Sequence, residues 1–212
     1  MESKGINTDN VQIVRCGVDD EQFTQRKNFV SGKNFKVGVV GRLVEKKGVD
    51  TLIHAVALMK NKGMDVELHI AGSGPLESEL IRLAGNTKDI SFLGSMAHTD
   101  VAEFISSLDA FVLPCKIDRN GDMDGIPVVL MEAMSMGLPI VTTSDGSIEE
   151  LVDNIIVMPG DIRALVNGLQ EVADSLGNKD VIGTHNRNKV SGLHGPKNID
   201  LVDEYFEKLV ER

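Results

Sequence analysis

No stretch of this 212-residue sequence is apolar for long enough to cross a bilayer. Its N-terminus is polar and charged where a secretory leader needs an apolar core, so the expectation is a cytoplasmic protein without direct membrane insertion. Basic residues are in deficit, with 22 Lys and Arg against 32 Asp and Glu, a net charge of −10. Such a surface repels phosphate backbones and anionic lipid, which removes nucleic acid from the expected partners. Cysteine is scarce: Cys16 and Cys115 lie far apart and form no CxxC, which excludes a disulfide scaffold and predicts two reduced thiols. The five histidines show no HExxH or other ligand spacing, so neither a structural nor a catalytic metal is expected.

What is present is ordinary for a globular chain: 42% apolar and 25% charged residues, and enough length to bury a real core. Short β-branched runs at Lys36–Val40, Val66–Ala71, Ile90–Leu93, Ala110–Leu113, Pro139–Thr142 and Ile155–Val157 read as buried strands. Helical apolar spacing fills the intervals at Val49–Asn61, Leu76–Ala84, Asp100–Ser107, Val128–Met136, Ile148–Val152 and Ile162–Leu176. Ser147 and Glu150 have the spacing of a capping box. Residues Ser175 to Asn198, rich in Gly, Asn and His, read as a loop, and Lys197–Leu209 as an amphipathic helix with Leu201, Tyr205 and Leu209 on one face. That face is exposed, folded back or covered by a second copy in a homodimer; the sequence leaves all three open. The alternation predicts an α/β fold, a Rossmann-like parallel sheet flanked by helices on both faces, with ligands outside the carboxyl ends of its strands.

The most informative stretch is Asp124-Gly-Ile-Pro-Val-Val-Leu-Met-Glu132-Ala-Met-Ser-Met-Gly-Leu-Pro139, which sets two carboxylates eight positions apart across a loop entering a helix. Pro127 suits the first helical turn, and Gly137 with Pro139 supplies a stop. Asp124 then precedes the helix and Glu132 lies about two turns into it, an arrangement fit for a ligand carrying both phosphate and sugar. Asp124 also suits a plain N-cap, and Glu132 an exposed helix acid. A second constellation, Gly41-Arg42-Leu-Val-Glu-Lys-Lys47-Gly48, follows a strand. Arg42 and Lys47 can face one anion there, or belong to a solvated basic loop; Lys46 is read as solvent-facing. A third, His69-Ile-Ala-Gly72-Ser-Gly74-Pro75, has two of the glycines of a dinucleotide turn but Glu77 in place of the third. Asn120-Gly-Asp122-Met-Asp124-Gly125 imitates the start of an EF-hand loop, yet its twelfth position is Met131, so calcium is not expected and residues 118–123 read as an acidic surface loop.

The pattern DGIPVVLMEAMSMGLPIV resembles the EGFPxxLLEAMAxGxPV signature of retaining family 4 (group 1) glycosyltransferases, and most of all the branch that builds bacterial exopolysaccharides such as colanic acid. Val40-Gly-Arg-Leu with Lys47-Gly48, Ile70-Ala-Gly-Ser-Gly-Pro75, Phe92-Leu-Gly94, Phe111-Val-Leu-Pro114 and Gly17-Val-Asp-Asp-Glu-Gln-Phe23 are similar to the family's GRL…KG, IxGxGP, FxG, FVxPS and GVDxxxF segments. The resemblance implies the donor-binding half of a GT-B fold, with residues 1–35 as linker and first strand and 36–212 as one nucleotide-sugar-binding domain. It implies a UDP- or GDP-sugar as donor substrate, no further cofactor, and hexosyl transfer to a glycan or lipid-linked acceptor.

By the same resemblance, Arg42 and Lys47 hold the donor's diphosphate and Glu132 accepts from the ribose hydroxyls. Asp124 contacts the donor sugar. Gly41, Gly72, Gly74 and Gly94 border the pocket, with the nucleobase near the loop after Gly94, and backbone groups of Gly125, Ile126, Val128 and Val129 meet phosphate or sugar. Neither carboxylate is a nucleophile on this account, because a diphosphate oxygen acts as base on one face of the sugar. Three departures stand out: Asp124 replaces a Glu, Cys115 a Ser, and the Leu151–Ile155 gap is shorter than the family's. The acceptor-binding half precedes such a domain in the family, so it is expected from a longer chain or a partner subunit, and turnover by these residues alone is not expected. An inert nucleotide-binding or interaction module descended from such enzymes is the alternative.

Overall fold

The computed structural model describes residues 15–18, 22–23, 34–144, 147–195 and 197–210. Six strands, β1 (Phe35–Val40), β2 (Val66–Ala71), β3 (Ile90–Gly94), β4 (Ala110–Leu113), β5 (Ile140–Thr143) and β6 (Ile155–Val157), form one sheet. Its order is β3-β2-β1-β4-β5-β6. Every pairing is parallel. The helices are α1 (Val49–Asn61), α2 (Glu77–Ala84), α3 (His98–Ser106), α4 (Val128–Ser135), α5 (Ile148–Leu151), α6 (Ile162–Asp174), α7 (Lys179–His194) and α8 (Lys197–Val210).

The strands read as apolar runs because both faces are covered. All four residues of β4 and of β5 are buried. Right-handed crossovers explain the layering. The chain steps outward from β1 in one direction through β2 and β3, then returns to the centre and steps the other way through β4, β5 and β6. The crossover helices of the two halves therefore fall on opposite faces, α1 packing with α2, while α6, which follows the last strand, returns to pack with α1, and α4 packs with α7. Strand order reverses between β1 and β4, and the crevice outside the carboxyl ends of those two strands is the place such sheets reserve for a ligand.

Local boundaries differ from the sequence expectation by a residue or two, with two instructive exceptions. Pro127 stands outside α4 in an extended conformation (φ −72°, ψ 133°) and is its N-cap residue rather than a member of the first turn. The capping box does not form: Ser147 makes no side-chain cap bond, and the Glu150 carboxylate reaches Arg15 at 3.4 Å.

The larger correction is α7. Residues read as a loop are a 16-residue helix. Its glycines and asparagines are poor helix formers, and packing supplies what propensity lacks. A Cβ on Gly183 would sit 2.6 Å from the Gly137 carbonyl oxygen, so only glycine lets α7 approach the end of α4 this closely. Asn186, fully buried, donates to the Leu138 carbonyl at 2.7 Å, and Val190 joins the core. At the C-terminal end of α7, His194 Nδ1 meets the Cys16 carbonyl at 2.7 Å, and the Val18 N–H donates to the His194 carbonyl at 3.1 Å. The N-terminal residues thus close onto α7. A first strand within residues 1–35 lies outside the described residues, except that β1 begins at Phe35. In α8, Leu201 and Phe206 are exposed, and the side chain of Leu209 lies outside the described residues.

Candidate functional site

The three loops after β1, β2 and β3 are joined backbone to backbone. Gly41 N–H donates to the Ala71 carbonyl (3.0 Å), Leu43 N–H to Ser73 (2.9 Å) and Gly72 N–H to Gly94 (2.7 Å). That closeness is why glycine is required at two positions. Gly72 has φ +128°, and a Cβ there would lie 1.9 Å from the Gly41 carbonyl oxygen. A Cβ on Gly74 would lie 2.5 Å from the carbonyl oxygen of Leu43. The joined loops wall a cleft of about 430 Å³, bordered by Gly41, Arg42, Gly72, Gly74, Ser95 and Met96 among others. Ser73 and Ser95 bridge it, hydroxyl to hydroxyl, at 2.7 Å.

Arg42 is exposed at this cleft, and no partner holds its guanidinium among the described residues. Five residues on, Lys47 lays its side chain along Gly41 and pairs with Asp124 at 2.7 Å. The two expected anion-binding residues therefore come from one loop but differ in state, one open and one occupied by a carboxylate. Asp124 is not the α4 N-cap. Its other oxygen meets Lys46 at 3.1 Å, and Lys46 also pairs with Asp122 at 2.9 Å. Lys46 is thus no solvent-facing bystander. Its hydrogen bonds to Asp122, then to Asp124, hold its pKa above the ordinary lysine value against the effect of burial. Burial pushes the Asp124 carboxyl up, but the hydrogen bond and charge of Lys47, then those of Lys46, outweigh it and hold Asp124 below the usual range.

The acidic loop takes part in this cluster. Asp118 accepts from the Asn120 and Asp122 N–H groups at 2.8 and 2.9 Å, a turn that presents Asp122 to Lys46. The Cys115 thiol, buried, lies 3.7 Å from Asp124 Oδ2.

Glu132 is buried, 5% exposed, on the first turns of α4. Its Oε1 meets His98 Nε2 at 3.1 Å across from the start of α3. The first two N–H groups of α4, those of Val128 and Val129, have no intrahelical acceptor, and α4 has no side-chain cap. Gly125 has open space around it, Val128 is 48% exposed, and Ile126 and Val129 are partly buried against the core. None of these four lines the cleft. Gly94 acts through its carbonyl and a positive φ of 69°, which turns the chain so that Ser95 and Met96 form the wall.

Residues 34–175 match the family described as glycosyl transferases group 1. The chain belongs to that family. It is 31% identical over 185 residues to the amylovoran biosynthesis glycosyltransferase AmsK of Erwinia amylovora, covering 84% of this chain and 45% of that protein. It is 34% identical over 178 residues to the putative colanic acid biosynthesis glycosyltransferase WcaL of Salmonella typhimurium, covering 81% and 44%. The chain spans less than half the length of either relative. Its fold is that of GT-B glycosyltransferase domains. HepE of Anabaena, in complex with UDP-glucose, superimposes with a TM-score of 0.76 at 20% identity, over 95% of this chain and 57% of that one.

In this group 1 glycosyl transferase domain, sequence reasoning marked the loop after Gly94 without naming Ser95 or Met96, passed over Ser73 and His98, and read Lys46 as solvent-facing. A polar side chain three to four residues beyond the Gly94 turn, at a helix start, was the available signal for His98. Among the described residues no three His, Cys, Asp or Glu side chains gather as a metal site. No described helix is long and apolar enough to cross a membrane.

Proposed function

We propose that this chain is the donor-binding half of a retaining, nucleotide-sugar-dependent glycosyltransferase of bacterial surface polysaccharide synthesis, working in the cytoplasm. The observation that supports it is that the loop after β1 carries a guanidinium at the cleft with no partner among the described residues (Arg42) and a lysine paired with Asp124 (Lys47), while α4 begins without a side-chain cap and holds a buried carboxylate (Glu132) tied to His98, just beyond the cleft wall of Ser95 and Met96.

Each group has a task on this reading. The diphosphate lies against Arg42, Lys47 and the first N–H groups of α4, where fixed positive charge offsets the charge that develops as the anomeric C–O bond breaks. Glu132 accepts from the ribose hydroxyls. Asp124 leaves Lys47 to the phosphate and turns to the sugar hydroxyls. The loop bearing Ser95 and Met96 lies against the nucleobase. No metal or other cofactor is invoked, and the acceptor is held by a second half or partner subunit outside these residues.

Calorimetric titration with UDP-glucose, GDP-mannose and NAD tests the proposal. Binding of one sugar nucleotide, weakened at least about tenfold by Lys47→Ala and by Glu132→Ala, is the expected result, since each loses a charge-assisted hydrogen bond. Tight binding of NAD alone, or a sugar nucleotide indifferent to both substitutions, would overturn it. Absence of all binding would favour the inert module.

A further inference from the structure

A buried carboxylate is costly unless something donates to it. Glu132, 5% exposed, has one such donor among the described residues, and that donor comes from the first residue of α3: His98 Nε2, 3.1 Å from Oε1. A carboxylate only accepts, so Nε2 carries the proton in this contact. With Oε1 engaged, Oε2 has no hydrogen-bond partner among the described residues.

The histidine is itself braced. Its ring meets the edge of Phe23 at a centroid distance of 5.5 Å and an interplanar angle of 69°. Its carbonyl accepts from Gln22 Nε2 at 3.1 Å. Phe23 is buried, 1% exposed, whereas the His98 side chain is largely exposed. His98 is therefore an exposed ring fixed by a buried one. It follows Ser95 and Met96, which wall the cleft.

We propose that His98 is a positioning residue for the nucleotide. By holding one oxygen of Glu132, it fixes the carboxylate rotamer and turns the free oxygen toward a ribose diol, so that the site discriminates ribonucleotides from their deoxy counterparts. The inference rests on the donor-site reading above. A glutamate has three rotatable side-chain bonds, and an acceptor left to wander among rotamers must be ordered again each time ligand binds. His98 removes that cost in advance. It acts through Glu132 and touches no ligand atom in this role.

The test uses the full chain and four probes: UDP, GDP and the 2′,3′-dideoxy form of each. The wild type binds one base and prefers its ribo form. His98→Ala then weakens that ribonucleotide roughly five- to tenfold and leaves the dideoxy form within about twofold, the loss belonging to one oriented hydrogen bond. His98→Gln, whose amide also donates to Glu132, restores most of the preference. His98→Ala takes the donor from a buried carboxylate and should lower the melting temperature, so all titrations are run well below the melt of either protein, where both are folded. Equal weakening of ribo and dideoxy forms would overturn the proposal, because the ring would then be touching base or phosphate. No weakening of either would also overturn it while leaving the donor-site reading intact. A wild type that binds none of the four probes removes both.

Discussion

Asp124→Asn removes one charge from the cluster that Asp124 forms with Lys46 and Lys47. Asp124 and Lys47 are 2.7 Å apart, with side chains 16% and 14% exposed. Exposed ion pairs contribute about 0–1 kcal/mol. Loss of one member of a fully buried pair costs about 3–5 kcal/mol. This pair lies between these limits, and Lys46 keeps Asp122 when Asp124 is neutralised, so a loss of about 1–2 kcal/mol at pH 7 is expected. The pH dependence has a definite sign. The folded carboxyl titrates below the ordinary aspartate value, so its stabilisation is complete above that value and disappears as pH falls through the lower, folded pKa. Urea unfolding of wild type and variant across pH 2–7 should show a gap at neutral pH that closes under acid.

Binding supplies the second half of the prediction. On the proposed donor-site reading, Asp124 competes with phosphate for Lys47. The variant should therefore bind a nucleoside diphosphate as well as wild type or better, while losing affinity for the nucleotide sugar. A gap in stability that persists unchanged at pH 2, or equal losses for nucleotide and nucleotide sugar, would refute the reasoning.

Two further substitutions test the scaffold that carries the site. Gly72→Ala places a Cβ 1.9 Å from a backbone oxygen at φ +128° and should destabilise by more than about 2 kcal/mol, read as a lowered melting temperature. A variant as stable as wild type would mean that the loops after β1 and β2 can separate freely. Asn186→Ala deletes the buried bond to the Leu138 carbonyl and should cost about 1–3 kcal/mol in denaturant unfolding. Retained helicity with native stability would show that α7 stands without this contact.

Some of these features could be read before any coordinates. Six strands and seven of the eight described helices stand where β-branched runs and apolar spacing put them, because residues buried on both faces of a parallel sheet must be apolar whatever lies beyond them. Gly41, Arg42, Gly72 and Gly74 were legible as one cleft because each directly follows a strand, and strand ends in this topology share one edge. His98 and Lys46 were not. Their partners, Glu132 and the pair Asp122 and Asp124, lie 34 and 76–78 positions away in the sequence, and no local pattern carries such a distance. The helix α7 was hidden for a related reason: its glycines signal a loop locally, but one of them, Gly183, is a contact point against Gly137 beyond the end of α4.

The sequence by itself determined the alternation of strands and helices, and the resemblance of its motifs indicated a place among group 1 glycosyl transferases. Local chemistry suffices for both, since periodicity and glycine placement are properties of neighbours along the chain. Only the tertiary structure decided which polar groups meet: that Lys47 is held by Asp124 while Arg42 has no partner among the described residues, that Lys46 closes the cluster, and that a histidine braced by Phe23 fixes one oxygen of Glu132. Those pairings fall off steeply with distance, and distance between remote residues is set by packing alone.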